Sequence, residues 1–168
     1  MAGPIDSGRD ESHEERADRN LAELLQELRV ALPGVQVLFA FLLTVPFTQR
    51  FKDLTPFEEK LYYGVLLCTA LSSALLIAPS VSHRILFRRQ EKEYLVTVAN
   101  RLAIAGAAFL ALAMCGAVAL ISHFVFGNTA TVVSTSAMAL VFAALWYAGP
   151  LLRLRHDRQL DEESAEGG

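Results

Sequence analysis

Four long apolar stretches separated by charged connections dominate this chain. They run roughly from Val30 to Thr48, Leu61 to Ser82, Leu102 to Phe126 and Ala130 to Leu152. A helix rises about 1.5 Å per residue, so about 20 residues cross a hydrocarbon core about 30 Å thick. All four stretches come close to that length or exceed it. The pattern predicts an all-α integral membrane protein, a four-helix bundle over residues 30–152 with spans at about 30–48, 61–82, 102–126 and 130–152.

The flanks read differently. Residues 1–19 are polar, rich in charge and almost free of large apolar side chains, which predicts a disordered tail. Residues 153–168 are expected to form a second polar tail. Between the first tail and the first span, Leu21, Leu24, Leu25, Leu28 and Leu32 recur at helical spacing, opposite Glu23, Gln26, Glu27 and Arg29. That spacing predicts an N-terminal amphipathic helix over residues 20–32, lying at the membrane interface or against a protein partner. Pro33-Gly34 is expected to kink or break it where it enters the bilayer. Thr55-Pro56-Phe57-Glu58 has the form of a capping box with proline at the first helical position, so the second helix should begin near Pro56. The connection Gly127-Asn128-Thr129 is so short that helices 3 and 4 must form an antiparallel hairpin.

Charge fixes an orientation. The chain is 53% apolar yet 20% charged, and no Asp or Glu occurs in residues 28–52, 61–90 or 94–156. The net charge of −3 therefore belongs to tails and loops, and no basic surface for nucleic acid is present. Basic residues number four in the N-terminal tail, five in the middle connection and three in the C-terminal tail, whereas Arg50, Lys52 and Lys60 make up the opposite side. The positive-inside rule then places both termini in the cytoplasm. Eight acids among the first 29 residues oppose a secretory signal, so the first span should remain in the mature chain.

Candidate contacts and chemistry are few. Ala99, Ala103, Ala107, Ala111, Cys115 and Ala119 form a four-residue ladder on helix 3, and Ala70, Ala74, Ala78 and Ser82 a shorter one on helix 2. Small residues let membrane helices approach closely, within the chain or in a dimer. Tyr62, Tyr63, Trp146 and Tyr147 read as interfacial anchors. Gln36, one turn past Pro33, is an amide inside a span and needs a partner. His83 and His123 close helices 2 and 3, and imidazoles titrate near neutral pH. Gln36, His83 and His123 are therefore the candidates for a polar or transport path. Arg84, Arg88 and Arg89 suit a membrane-surface segment. Cys68 and Cys115 lack partners at metal-ligand spacing, so neither a metal site nor a disulfide framework is expected. No nucleophile elbow, zinc-protease motif or phosphate loop occurs, and the expectation is a non-enzyme without catalytic residues, metal or cofactor.

Two segments carry a resemblance: Glu27-Leu28-Arg29-Val30-Ala31-Leu32-Pro33-Gly34-Val35-Gln36-Val37-Leu38-Phe39-Ala40-Phe41-Leu42-Leu43 and Ala78-Pro79-Ser80-Val81-Ser82-His83-Arg84-Ile85-Leu86-Phe87-Arg88. Over roughly residues 20–152 the chain resembles a family of small bacterial four-span membrane proteins known as a domain of unknown function. The resemblance implies a bacterial cytoplasmic membrane. Members are sometimes labelled sodium:proton antiporters, and no established catalytic residues come with the family.

An exchanger should hold a buried acid, and the apolar spans as bounded above contain none. The sequence thus predicts a protein acting through helix or partner contacts, as an accessory subunit or small homo-oligomer in the lipid bilayer. Monovalent cation/proton exchange is the alternative, and lipid or membrane-stress sensing the second.

Overall fold

The computed structural model describes residues 13–86, 92–149 and 153. Helix α1 runs His13–Thr44. Two 3-10 turns, Val45–Phe47 and Gln49–Asp53, lead into α2 at Pro56–Leu86. Helix α3 covers Lys92–Phe126 and α4 covers Asn128–Phe142, continued by a π-helical turn at Ala143–Ala148. No strand occurs among the described residues, and the fold is an all-α four-helix bundle. Four helical stretches, Asp18–Phe47, Pro56–Ile85, Leu95–Phe126 and Asn128–Ala148, are long and apolar enough to cross a membrane. The chain is a multi-pass membrane protein, and its outward apolar side chains face lipid.

The chain divides into two compact units. One holds Cys68–Leu110 and the residues up to Thr48; the other holds Gln49–Leu67 and the residues from Ala111.

In the first unit, α1 buries Leu21, Leu28, Val35 and Leu42. These positions lie seven apart, the repeat that keeps one seam of a helix against its neighbours. Leu21 packs with Leu95 and Ala99 of α3, while Leu28 and Val35 pack with Leu76 of α2. Helices α2 and α3 come closest here at a glycine. A Cβ on Gly106 would stand 2.8 Å from Cγ and Cδ2 of Leu76. The Ser72 hydroxyl donates to the Gly106 carbonyl at 2.8 Å, which satisfies a buried polar group across the contact.

In the second unit, Glu58, Tyr62 and Val65 of α2 and Ala111 and Ala113 of α3 are buried. A Cβ on Gly116 would lie 2.5 Å from Cγ2 of Val65, so glycine again sets the approach. Helix α3 ends at Gly127, whose φ of 81° and ψ of −172° suit a residue without Cβ. Its N–H donates to the His123 carbonyl at 3.1 Å, and α4 begins at the next residue. Ser122 and Ser134 share a hydrogen bond of 2.8 Å between α3 and α4.

Several expectations need correction. Residues 20–32 are not a separate interfacial helix, because α1 runs unbroken through Pro33. Leu28 and Val35 flank that proline within one packed cluster, and this packing holds both halves in a single helix. The apolar face predicted for the membrane surface instead meets α2 and α3. The tail predicted over 1–19 is shorter, since α1 already starts at His13; residues 1–12 lie outside the described residues, as do 154–168. The small-residue row of α2 is not its packed face, for Ala74 is exposed. That face runs through Glu58, Tyr62, Val65, Thr69, Ser72, Leu76 and Pro79, alternating steps of four and three. Tyr62 is no interfacial anchor either: it is buried edge-on against Phe51, with ring centroids 5.4 Å apart.

Candidate functional site

The segment Thr55-Pro56-Phe57-Glu58 folds locally for reasons visible in its residues. Proline at the first helical position loses no hydrogen bond, because that N–H has no partner inside the helix. The Glu58 N–H donates to Thr55 Oγ1 at 3.3 Å. In return, Thr55 donates its N–H and its hydroxyl to Glu58 Oε2, at 2.7 and 2.8 Å. This reciprocal capping box ties the Glu58 side chain back over the start of α2.

The second carboxylate oxygen does something else. Glu58 Oε1 lies 2.9 Å from Nδ1 of His123, in the last turn of α3. The Glu58 side chain is 5% exposed and that of His123 26%. Phe57 borders the imidazole, with ring centroids 5.7 Å apart. Next to His123 in sequence, the Phe124 ring carries the Arg50 guanidinium 5.7 Å from its centroid. A buried carboxylate thus holds three donors, two from Thr55 and one from His123. The arrangement can hold a proton on the imidazole beside a fixed negative charge.

The acid thought to be missing from the membrane helices is therefore Glu58. The apolar run begins at Leu61, but α2 begins at Pro56, and Glu58 in its first turn is already buried. The capping-box spacing marked Glu58 in the sequence; its pairing with His123 depends on the register of two antiparallel helices.

The other candidates lie elsewhere. Gln36 is exposed on α1. His83 is half-buried in the last turn of α2, at the end opposite Glu58; it and Gln36 belong to the first unit, and His123 to the second. Arg84 is exposed beside an open recess of about 260 Å³ formed with Ser80, Val81 and Ile85. Arg88 and Arg89 lie outside the described residues. Of the α3 ladder, Ala99 and Ala111 are buried, while Ala103, Ala107, Cys115 and Ala119 are partly buried. Gly106, which the ladder passed over, makes a close approach to Leu76 of α2.

A protein-family model described as a family of unknown function (DUF6328) matches residues 10–150. No curated protein matches the chain, and no solved structure does.

Proposed function

The chain belongs to the family of unknown function DUF6328, and we propose that it is a non-enzymatic membrane protein acting through helix contacts. It serves as an accessory subunit or a small homo-oligomer of a bacterial cytoplasmic membrane, with both termini in the cytoplasm. One observation carries the proposal. The membrane-crossing stretch of α4 buries none of its residues within the chain, whereas the other three helices each bury a stripe. Val132, Val133, Leu140 and Leu145 all stand largely exposed on it. Close packing rather than apolar burial holds helices together in lipid, so a helix with so little internal packing is available to another chain. The test is disulfide crosslinking in native membranes from single cysteines at Val133, Leu140 and Leu145, in a Cys68→Ser, Cys115→Ser background. A defined dimer or a discrete larger product at one face of α4 supports the proposal. Monomer alone at all three positions refutes α4 as the contact.

Glu58 favours a second function, monovalent cation/proton exchange, because an ionisable group inside a membrane helix is the usual switch of such carriers. Cation-coupled proton flux in proteoliposomes, lost in Glu58→Gln, would support it. The absence of flux across a range of pH in correctly inserted protein would remove it.

A further inference from the structure

We propose that Glu58 and His123 form a proton-binding site that latches the first turn of α2 to the last turn of α3. Proton donors meet both oxygens of the carboxylate: the Thr55 N–H and hydroxyl at Oε2, and the imidazole at Oε1. A carboxylate that only accepts requires Nδ1 of His123 to carry hydrogen in either charge state of the ring. The neutral ring is then the Nδ1–H tautomer, and its free lone pair sits on Nε2. The ring's 26% exposure gives a proton from solution a route to that atom. Uptake at Nε2 adds an attraction between opposite charges to the hydrogen bond already made at Nδ1.

Other charges near this end leave the pair as the responsive element. Lys52, Asp53, Glu59 and Lys60 are exposed, and so is Arg50, whose guanidinium lies over Phe124. Helix α1 brings no titratable side chain between Val30 and Gln49, and α4 brings none before Tyr147. On α3, Cys115 is two turns away from His123. The sign follows directly. The latch is strongest where the imidazole is protonated and Glu58 ionised, and it weakens once Nε2 gives up its proton. It lies at the end of the helices that carries the first and third connections.

Hydrogen exchange of the protein in lipid nanodiscs, followed by mass spectrometry between pH 5.5 and 8.5, tests this. Rates are corrected for the intrinsic pH dependence of amide exchange. Protection of peptides covering 53–62 and 119–128 should fall about two- to fivefold from pH 5.5 to 8.5 in the wild-type chain, the range expected when a partly exposed ion pair is lost. His123→Gln should flatten that dependence, while His83→Gln should leave it in place. A flat wild-type profile, or a His123→Gln profile parallel to wild type, overturns the proposal. Imidazole nitrogen NMR needs no variant: Nδ1 must keep its hydrogen throughout while Nε2 titrates, and loss of the Nδ1 hydrogen refutes the site. Cation flux is a separate outcome. Its absence leaves the latch intact, and an unresponsive imidazole leaves exchange to be explained without His123.

Discussion

Replacing Gly106 with alanine should destabilise the protein, against the usual preference of helices for alanine. On propensity alone the change is favourable by about 1 kcal/mol. The packing opposes it more strongly. The new Cβ would stand 2.8 Å from both Cγ and Cδ2 of Leu76 and 3.3 Å from Cβ of Leu75. Leu76 is 3% exposed and packed among Leu28, Val35 and Ala103, which opposes its moving aside. Overpacking of this kind costs about 1–3 kcal/mol. Parting the helices to relieve it also stretches the Ser72 bond to the Gly106 carbonyl, worth about 0.6–1.7 kcal/mol between membrane helices. The net expectation is a loss of about 1–3 kcal/mol. Gly64→Ala is the matched control, because nothing lies within 4 Å of its Cβ position and only the propensity gain applies. Reversible unfolding in mixed micelles, followed by circular dichroism, gives both values. A double-mutant cycle with Leu76→Ala sharpens the test, since the shortened side chain vacates the space the new methyl needs. The pair should be less damaging than the sum by about 1–2 kcal/mol. Equal stability of Gly106→Ala and Gly64→Ala, or strict additivity with Leu76→Ala, would refute the close approach.

Three further expectations follow from the same contacts. Ser72→Ala should cost about 0.6–1.7 kcal/mol in the same unfolding assay, because it removes a buried hydrogen bond between facing helices. Gly127→Ala should cost about 1–3 kcal/mol, as a φ of 81° with ψ near 180° is open to little besides glycine; a change below about 0.5 kcal/mol would contradict the turn geometry. Thr55→Val removes the hydroxyl that donates to Glu58 Oε2 and accepts from the Glu58 N–H, leaving the backbone N–H donor, and should cost about 1–2 kcal/mol and raise hydrogen exchange first at the start of α2.

The span count and the all-α class were legible because they depend on run length alone. The packed faces were not, and the reason is physical. In lipid both the inner and outer faces of a helix are apolar, so hydropathy does not say which stripe turns inward. On α2, small residues pointed to Ala70, Ala74, Ala78 and Ser82, yet Ala74 is exposed and the packed row holds Tyr62, Leu76 and Pro79. Small size permits close approach without requiring it, and at Gly106 one glycine suffices. Pro33 misled in a similar way. A proline removes one helical hydrogen bond, but membrane helices tolerate the loss when neighbours pack on both sides of it, as Leu28 and Val35 do.

Glu58 shows how a correctly identified motif can conceal a site. The Thr-x-x-Glu spacing explained the acid as a cap, and only Oε2 is engaged in capping. Oε1 remained available to the last turn of α3, where His123 meets it. The two roles therefore separate by oxygen, and they separate experimentally as well. Thr55→Val weakens the cap while leaving the imidazole contact in place, so it should lower protection at every pH without changing its slope. His123→Gln keeps the cap and removes the titrating ring, so it should change the slope while the start of α2 stays helical. If both variants changed the slope alike, the carboxylate would be one undivided structural contact, and the imidazole would have no separate part in sensing protons.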